Sequence, residues 1–149
     1  MTKKVLWLSS FIFLGGILFF YGMPFAQMGM MGGGGMSGNR HHTRVPSQYR
    51  AENPLPASQK NLEEGARLYQ NNCAVCHGKE GLGDGEAGKA LNPRPANLAW
   101  MMKMPMTSES YLYWTIAEGG TSFNTAMPAF KEALEEDQIW KLILHLQEI

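Results

Sequence analysis

Both cysteines of the 149-residue chain lie in one pentapeptide, Cys73-Ala74-Val75-Cys76-His77. Two thiols one helical turn apart can each add to a vinyl group of a haem, and C-x-x-C-H is the spacing of that covalent attachment. The residue after the second thiol is then carried beneath the iron, which makes His77 the proximal ligand. The rival chemistries fit less well. A structural zinc site needs four ligands, and beyond the motif only His41, His42 and His145 remain. A thioredoxin-like dithiol wants a βαβ setting, which the surrounding residues do not provide. A disulfide between residues 73 and 76 would close too short a loop to stabilise much. Haem attachment uses all three side chains.

What such an iron does depends on its sixth position. A strong protein ligand there excludes oxygen and peroxide and leaves electron exchange, and a thioether in that place favours Fe(II). The candidates are Met101, Met102, Met104, Met106 and Met127, with His145 in the last helix as an alternative. Met127 has the best context. It follows His77 by 50 residues, in a loop before the last helix, with Pro128 beside it and Phe130 close by. The other four methionines are spaced like apolar filler, and Met127 itself also reads as a packing residue.

The elements that must position these groups are helical. A first helix is expected from about Asn61, with Asn61 as its cap and Glu64 in the capping-box position. Leu62, Ala66, Tyr69 and Cys73 then share one face. Five glycines between Gly78 and Gly88 mark a loop, which Pro93 and Pro95 extend. A short helix is expected around Asn97 to Lys103. Another should start after Thr107 or Ser108 and end at Gly119. The last runs from about Glu136 to Glu148, with Ile139, Leu142, Ile143 and Leu146 as its apolar stripe and Glu135 as a weak cap. No alternating strand pattern stands out, so the fold class is all-α. A domain of roughly ninety residues has a thin core, which a bound cofactor would reinforce.

The N-terminal part differs. Lys3 and Lys4 precede an uncharged run that extends to Ala26. As a helix, residues 5–26 would reach about 33 Å, enough to cross a hydrocarbon core. Residues 1–26 therefore read as an uncleaved transmembrane anchor or as a cleaved signal peptide. Either reading puts the rest of the chain outside the cytoplasm, on the periplasmic side of the inner membrane if anchored and soluble in the periplasm if cleaved. Residues 27–58 read as a Gly/Met/Pro-rich linker; four consecutive glycines are too flexible for regular structure. Its methionines and the His41–His42 pair are competent copper ligands, although a solvated tether is the plainer reading. The domain proper is placed at 59–149. Equal numbers of basic and acidic side chains, 13 of each, leave no electrostatic footprint for nucleic acid.

Several segments, in order, resemble class I monohaem cytochrome c: GARLYQNNCAVCHG (65–78), GDG (83–85), NPRPANL (92–98), IAEGG (116–120), AMPAF (126–130) and IWKLILHL (139–146). The resemblance implies the cytochrome c fold, in which the first and last helices cross and one haem c lies against them. It implies that Gly65 and Tyr69 meet the last helix near Trp140 and Leu144. It also implies that the carbonyl of Pro93 or Pro95 accepts a hydrogen bond from the second nitrogen of His77. The expected function is single-electron transfer between a redox protein donor and acceptor, through a haem held by Cys73, Cys76, His77 and Met127. The protein is then not an enzyme by itself. A second expectation keeps the haem but makes the chain a fixed subunit of a respiratory or dehydrogenase complex. A third is a haem enzyme or gas sensor with an open distal site.

Overall fold

A computed structural model describes residues 43–149. The apolar run 1–26, the glycine-rich stretch and the His41–His42 pair lie outside the described residues. Among the described residues there are five α-helices, three short 3₁₀ turns and no strand. No described helix is long and apolar enough to cross a membrane.

Helix α1 spans Gln59–Asn72 and starts two residues ahead of the expected position. Its cap is Ser58, whose hydroxyl oxygen accepts the Asn61 N–H at 3.3 Å. The Asn61 side chain instead donates to the Pro56 carbonyl. Both Ser58 and Asn61 are good cap types; the extended backbone at Ser58 decides between them. Glu64 makes no capping box but pairs with Lys141 of the last helix at 2.8 Å. That ammonium holds the Glu64 carboxyl below its ordinary pKa.

Helix α2 is the single turn Ala74–His77, and α3 is Leu98–Met101, capped by Asn97. Helix α4 is Glu109–Glu118, capped by Ser108 and ended by Gly119 at a φ of 64°. Helix α5 is Glu136–Leu146. Glu135 is a better cap than its residue type suggests. It forms a capping box with Gln138, whose side chain accepts the Glu135 N–H at 2.9 Å. The stripe Ile139, Leu142, Ile143 and Leu146 is buried together with Trp140 and Leu144.

The crossing of α1 and α5 organises the core. It centres one residue beyond the expected place, with Gly65 against Lys141 and Tyr69 against His145. A Cβ at Gly65 would overlap the Lys141 carbonyl and lie 3.1 Å from the His145 Cβ. Backbone cannot yield as a side-chain tip can. Gly65→Ala is therefore expected to destabilise the domain by about 2–3 kcal/mol, measured by chemical unfolding. A loss below about 0.5 kcal/mol, the scale of a neutral surface change, would contradict this packing.

His145 packs rather than ligates. Its ring lies 5.2 Å from that of Tyr69, and its Nε2 is buried without a partner among the described residues. Burial lowers its pKa from the ordinary 6.5, opposed by nearby Glu148. The fold therefore prefers the neutral ring. This contribution is complete above the unfolded pKa and is lost as pH falls through the depressed folded value. Resistance to denaturant should drop as pH falls below about 6.5, the ordinary histidine value, and His145→Leu should flatten that part of the profile. An unchanged slope in the variant would show that other groups cause it.

The structure also revises the N-terminal side of the domain. Residues 45–55, read from the sequence as part of the linker, lie across α4 and α5. Tyr49 packs beside Tyr113 and its hydroxyl donates to the Glu118 carboxylate. The Asn53 side chain donates to the Trp140 carbonyl at 3.0 Å, and its N–H donates to Glu109 at 2.8 Å. Leu55 packs on the core. Isolated anchors of this kind have no periodicity, so a pattern search passes over them.

Candidate functional site

The Cys73–His77 motif forms one tight turn. Helix α1 runs into it through a bond from the Cys73 N–H to the Tyr69 carbonyl, and the His77 N–H closes the turn on the Cys73 carbonyl, each at 2.8 Å. The glycine loop then wraps back over it. Gly83 N–H donates to the His77 carbonyl and Gly85 N–H to that of Cys76. A side chain at Gly85 would run into the Cys76 backbone, so this close return needs a glycine. Tyr69 ties α1 to the far end of the turn by donating its hydroxyl to the Gly78 carbonyl at 2.7 Å.

His77 Nδ1 lies 3.0 Å from the Ala96 carbonyl oxygen. A carbonyl only accepts, so Nδ1 carries the proton and Nε2 keeps its lone pair. The acceptor is Ala96, not Pro93 or Pro95 as the family pattern implied. The Pro95 carbonyl is turned toward Gly83 instead, and the next peptide faces the ring. Burial lowers the His77 pKa, against the opposing effect of the Ala96 bond, so the imidazole is neutral at neutral pH. A neutral ring with a fixed tautomer is the form that binds a metal. Burial, and then the neighbouring Cys76, push the Cys73 thiol up to about 11. Reactive dithiols have depressed values, so this thiol is poorly suited to disulfide exchange. Among the described residues, no three His, Cys, Asp or Glu side chains converge as a metal cluster.

A cavity of about 600 Å³ adjoins the turn. Cys73, Cys76, His77 and Met127 all line it, with α4 contributing Leu112 and Ile116 and α5 contributing Leu142 and Leu146. Its size lies within the range of cofactor sites. Two thiols and an imidazole on one turn, opening into a largely apolar chamber, fit a haem. The other methionines divide. Met101 and Met104 also line the cavity, Met102 packs on the core, and Met106 is 64% exposed. Met101 and Met104 are held by bonds within residues 97–107, whereas the Met127 loop is tied to α4. The Met127 carbonyl accepts the Gly120 N–H at 2.8 Å, and Phe130 N–H donates to the Ile116 carbonyl at 3.1 Å. His145 does not line the cavity. Two features carry no sequence signal: the Ala96 acceptor, and Thr115 of α4 among the residues that line the cavity.

This helical arrangement and its attachment turn are those of a class I c-type cytochrome domain. The chain belongs to the family described as cytochrome c oxidase, cbb3-type, subunit III, whose model matches residues 60–146. The domain is an electron-transfer cytochrome c, and the family's cofactor is haem c. No curated protein matches the chain. Among solved structures, it is similar to a chain of the reducing HAO-like protein complex of Kuenenia stuttgartiensis. The two are 24% identical with a TM-score of 0.52, and the match covers 64% of this chain. It spans 46% of that chain, and it supports the fold alone.

Proposed function

We propose that the protein carries one haem c, bonded by thioethers to Cys73 and Cys76 and held axially by His77 Nε2 and Met127 Sδ. The observation that carries this reading is that all four side chains border one cavity. When bound, the haem supplies an iron that alternates between Fe(III) and Fe(II). The chain's own residues do the rest. His77 is oriented by its bond to Ala96. The aliphatic walls from α4 and α5 exclude water, and a filled sixth position closes the iron to small ligands. Val75, between the two cysteines, is 55% exposed and marks the side on which the attachment turn meets solvent and electrons pass to redox partner proteins.

The test is to express the chain in a host that matures c-type cytochromes and extract it with acidified solvent. The colour should stay with the polypeptide, with one iron per chain and a haemochrome spectrum of the thioether type. Carbon monoxide should not bind to the reduced protein. A colourless product, or haem that extracts, would end this reading. Rapid carbon monoxide binding would favour an open-site enzyme or sensor.

A second reading, membership of a larger oxidoreductase complex, is favoured by the family's description as an oxidase subunit. Native purification separates the two, since a free carrier migrates alone. We place the domain on the periplasmic side of the inner membrane, tethered through residues 1–26. The support is Lys3 and Lys4 before the apolar run. N-terminal sequencing of the mature chain distinguishes this anchor from a cleaved signal.

A further inference from the structure

Glu118 is the last residue of α4, and an anion at that end of a helix is disfavoured by the helix dipole. Two donors from distant parts of the chain meet its carboxylate. The Tyr49 hydroxyl donates to it from the strap of residues 45–55. The Lys131 ammonium donates to both of its oxygens at 3.1 Å. Tyr49 stays a donor at any working pH, because the bond to Glu118 and burial push its pKa up to about 12.

Lys131 is the far end of the Met127 loop. Gly120 N–H donates to the Met127 carbonyl at 2.8 Å, and the loop closes where Phe130 and Lys131 N–H donate to the Ile116 and Ala117 carbonyls, at 3.1 and 3.2 Å. One carboxylate therefore joins the strap on one side to the end of the loop on the other. A second contact runs the same way. Val45 and Tyr49 pack on the cluster of Met101, Tyr111 and Trp114. Trp114 stands edge-on to Phe123, early in the same loop, with ring centroids 5.8 Å apart. Tyr49, Glu118 and Lys131 do not line the cavity, so any effect they have on the iron passes through the loop.

We propose that the strap is a positioning element for the axial thioether: Tyr49 and Lys131 clasp Glu118 between them, so that docking of the strap and closure of the Met127 loop reinforce each other. The inference rests on the His77 and Met127 ligation proposed above and deepens it. Coupling of this kind is reciprocal. Losing the Tyr49 bond loosens the hold on Met127, and losing the iron–sulfur bond loosens the strap.

The test compares full-length holoproteins carrying Tyr49→Phe, which keeps the ring and loses the bond, Lys131→Leu, which loses the charge, and the two together. Two quantities are read: the Kd for added imidazole, which competes with the axial sulfur, and the urea concentration at which the ferric far-red thioether absorption disappears. Each single variant should tighten imidazole binding about fivefold, the low end of coupling between sites. Each should also lose the absorption at lower urea, before the helical circular dichroism signal changes. In the Lys131→Leu background, Tyr49→Phe should leave the Kd where it is. In the Met127→Ala holoprotein, amide exchange of residues 45–55 should rise. A role in stability alone would lower the unfolding midpoint without moving the imidazole Kd, and would overturn the proposal. An undiminished effect of Tyr49→Phe in the Lys131→Leu background, or unchanged exchange in Met127→Ala, would overturn it as well. Failure of the ligation reading looks different: the parent protein itself lacks the far-red absorption, or Met127→Ala retains it, and the role assigned to the strap falls with it.

Discussion

Replacing Cys73 and Cys76 together with Ala is expected to abolish covalent haem retention, so that denaturing electrophoresis shows a chain without haem-linked peroxidase activity. The effect should reach the fold. An empty cavity of about 600 Å³, at about 24 cal/mol per Å³, corresponds to on the order of 10 kcal/mol. That is comparable with the whole stability of a small domain. Such a cavity collapses or the domain unfolds, and the helical circular dichroism signal of the haem-free chain should fall well below that of the holoprotein. Each single variant keeps one thiol and should retain haem through one thioether. A double variant that still held its haem through acid extraction would show that the attachment lies elsewhere.

Met127→Ala is expected to leave the haem attached but to change what it does. Loss of a soft thioether removes the ligand that favours Fe(II). Axial ligation sets haem potentials over a range of about 0.8 V, so the fall should be on the order of 100 mV. The reduced variant should also take up carbon monoxide, which the parent should not. Met101→Ala and Met104→Ala are the controls, because both residues line the same cavity. If either of these opened the iron while Met127→Ala did not, the axial assignment would move to that residue.

The features that could be read in the chain were those that local chemistry sets. C-x-x-C-H is a spacing within one turn of helix, and the apolar stripe of α5 follows the helical period. Gly119 ends α4 where a positive φ was expected. Where a local signal had a competitor, the sequence reading could miss. It placed the first cap at Asn61, and the backbone path chose Ser58, which is as competent a cap type. Glu64 suited a capping box, but the approach of α5 offered it Lys141.

The amino-acid sequence by itself determined the helical class, the C-x-x-C-H turn and the methionines available near it, because each depends on residues close in the chain. Only the tertiary structure decided that Ala96 rather than a proline orients His77, that Tyr49, Asn53 and Leu55 dock on the domain, and that His145 packs at a helix crossing. Each of these depends on where a distant carbonyl, ring or loop lies in space, and that position comes from packing the whole chain at once.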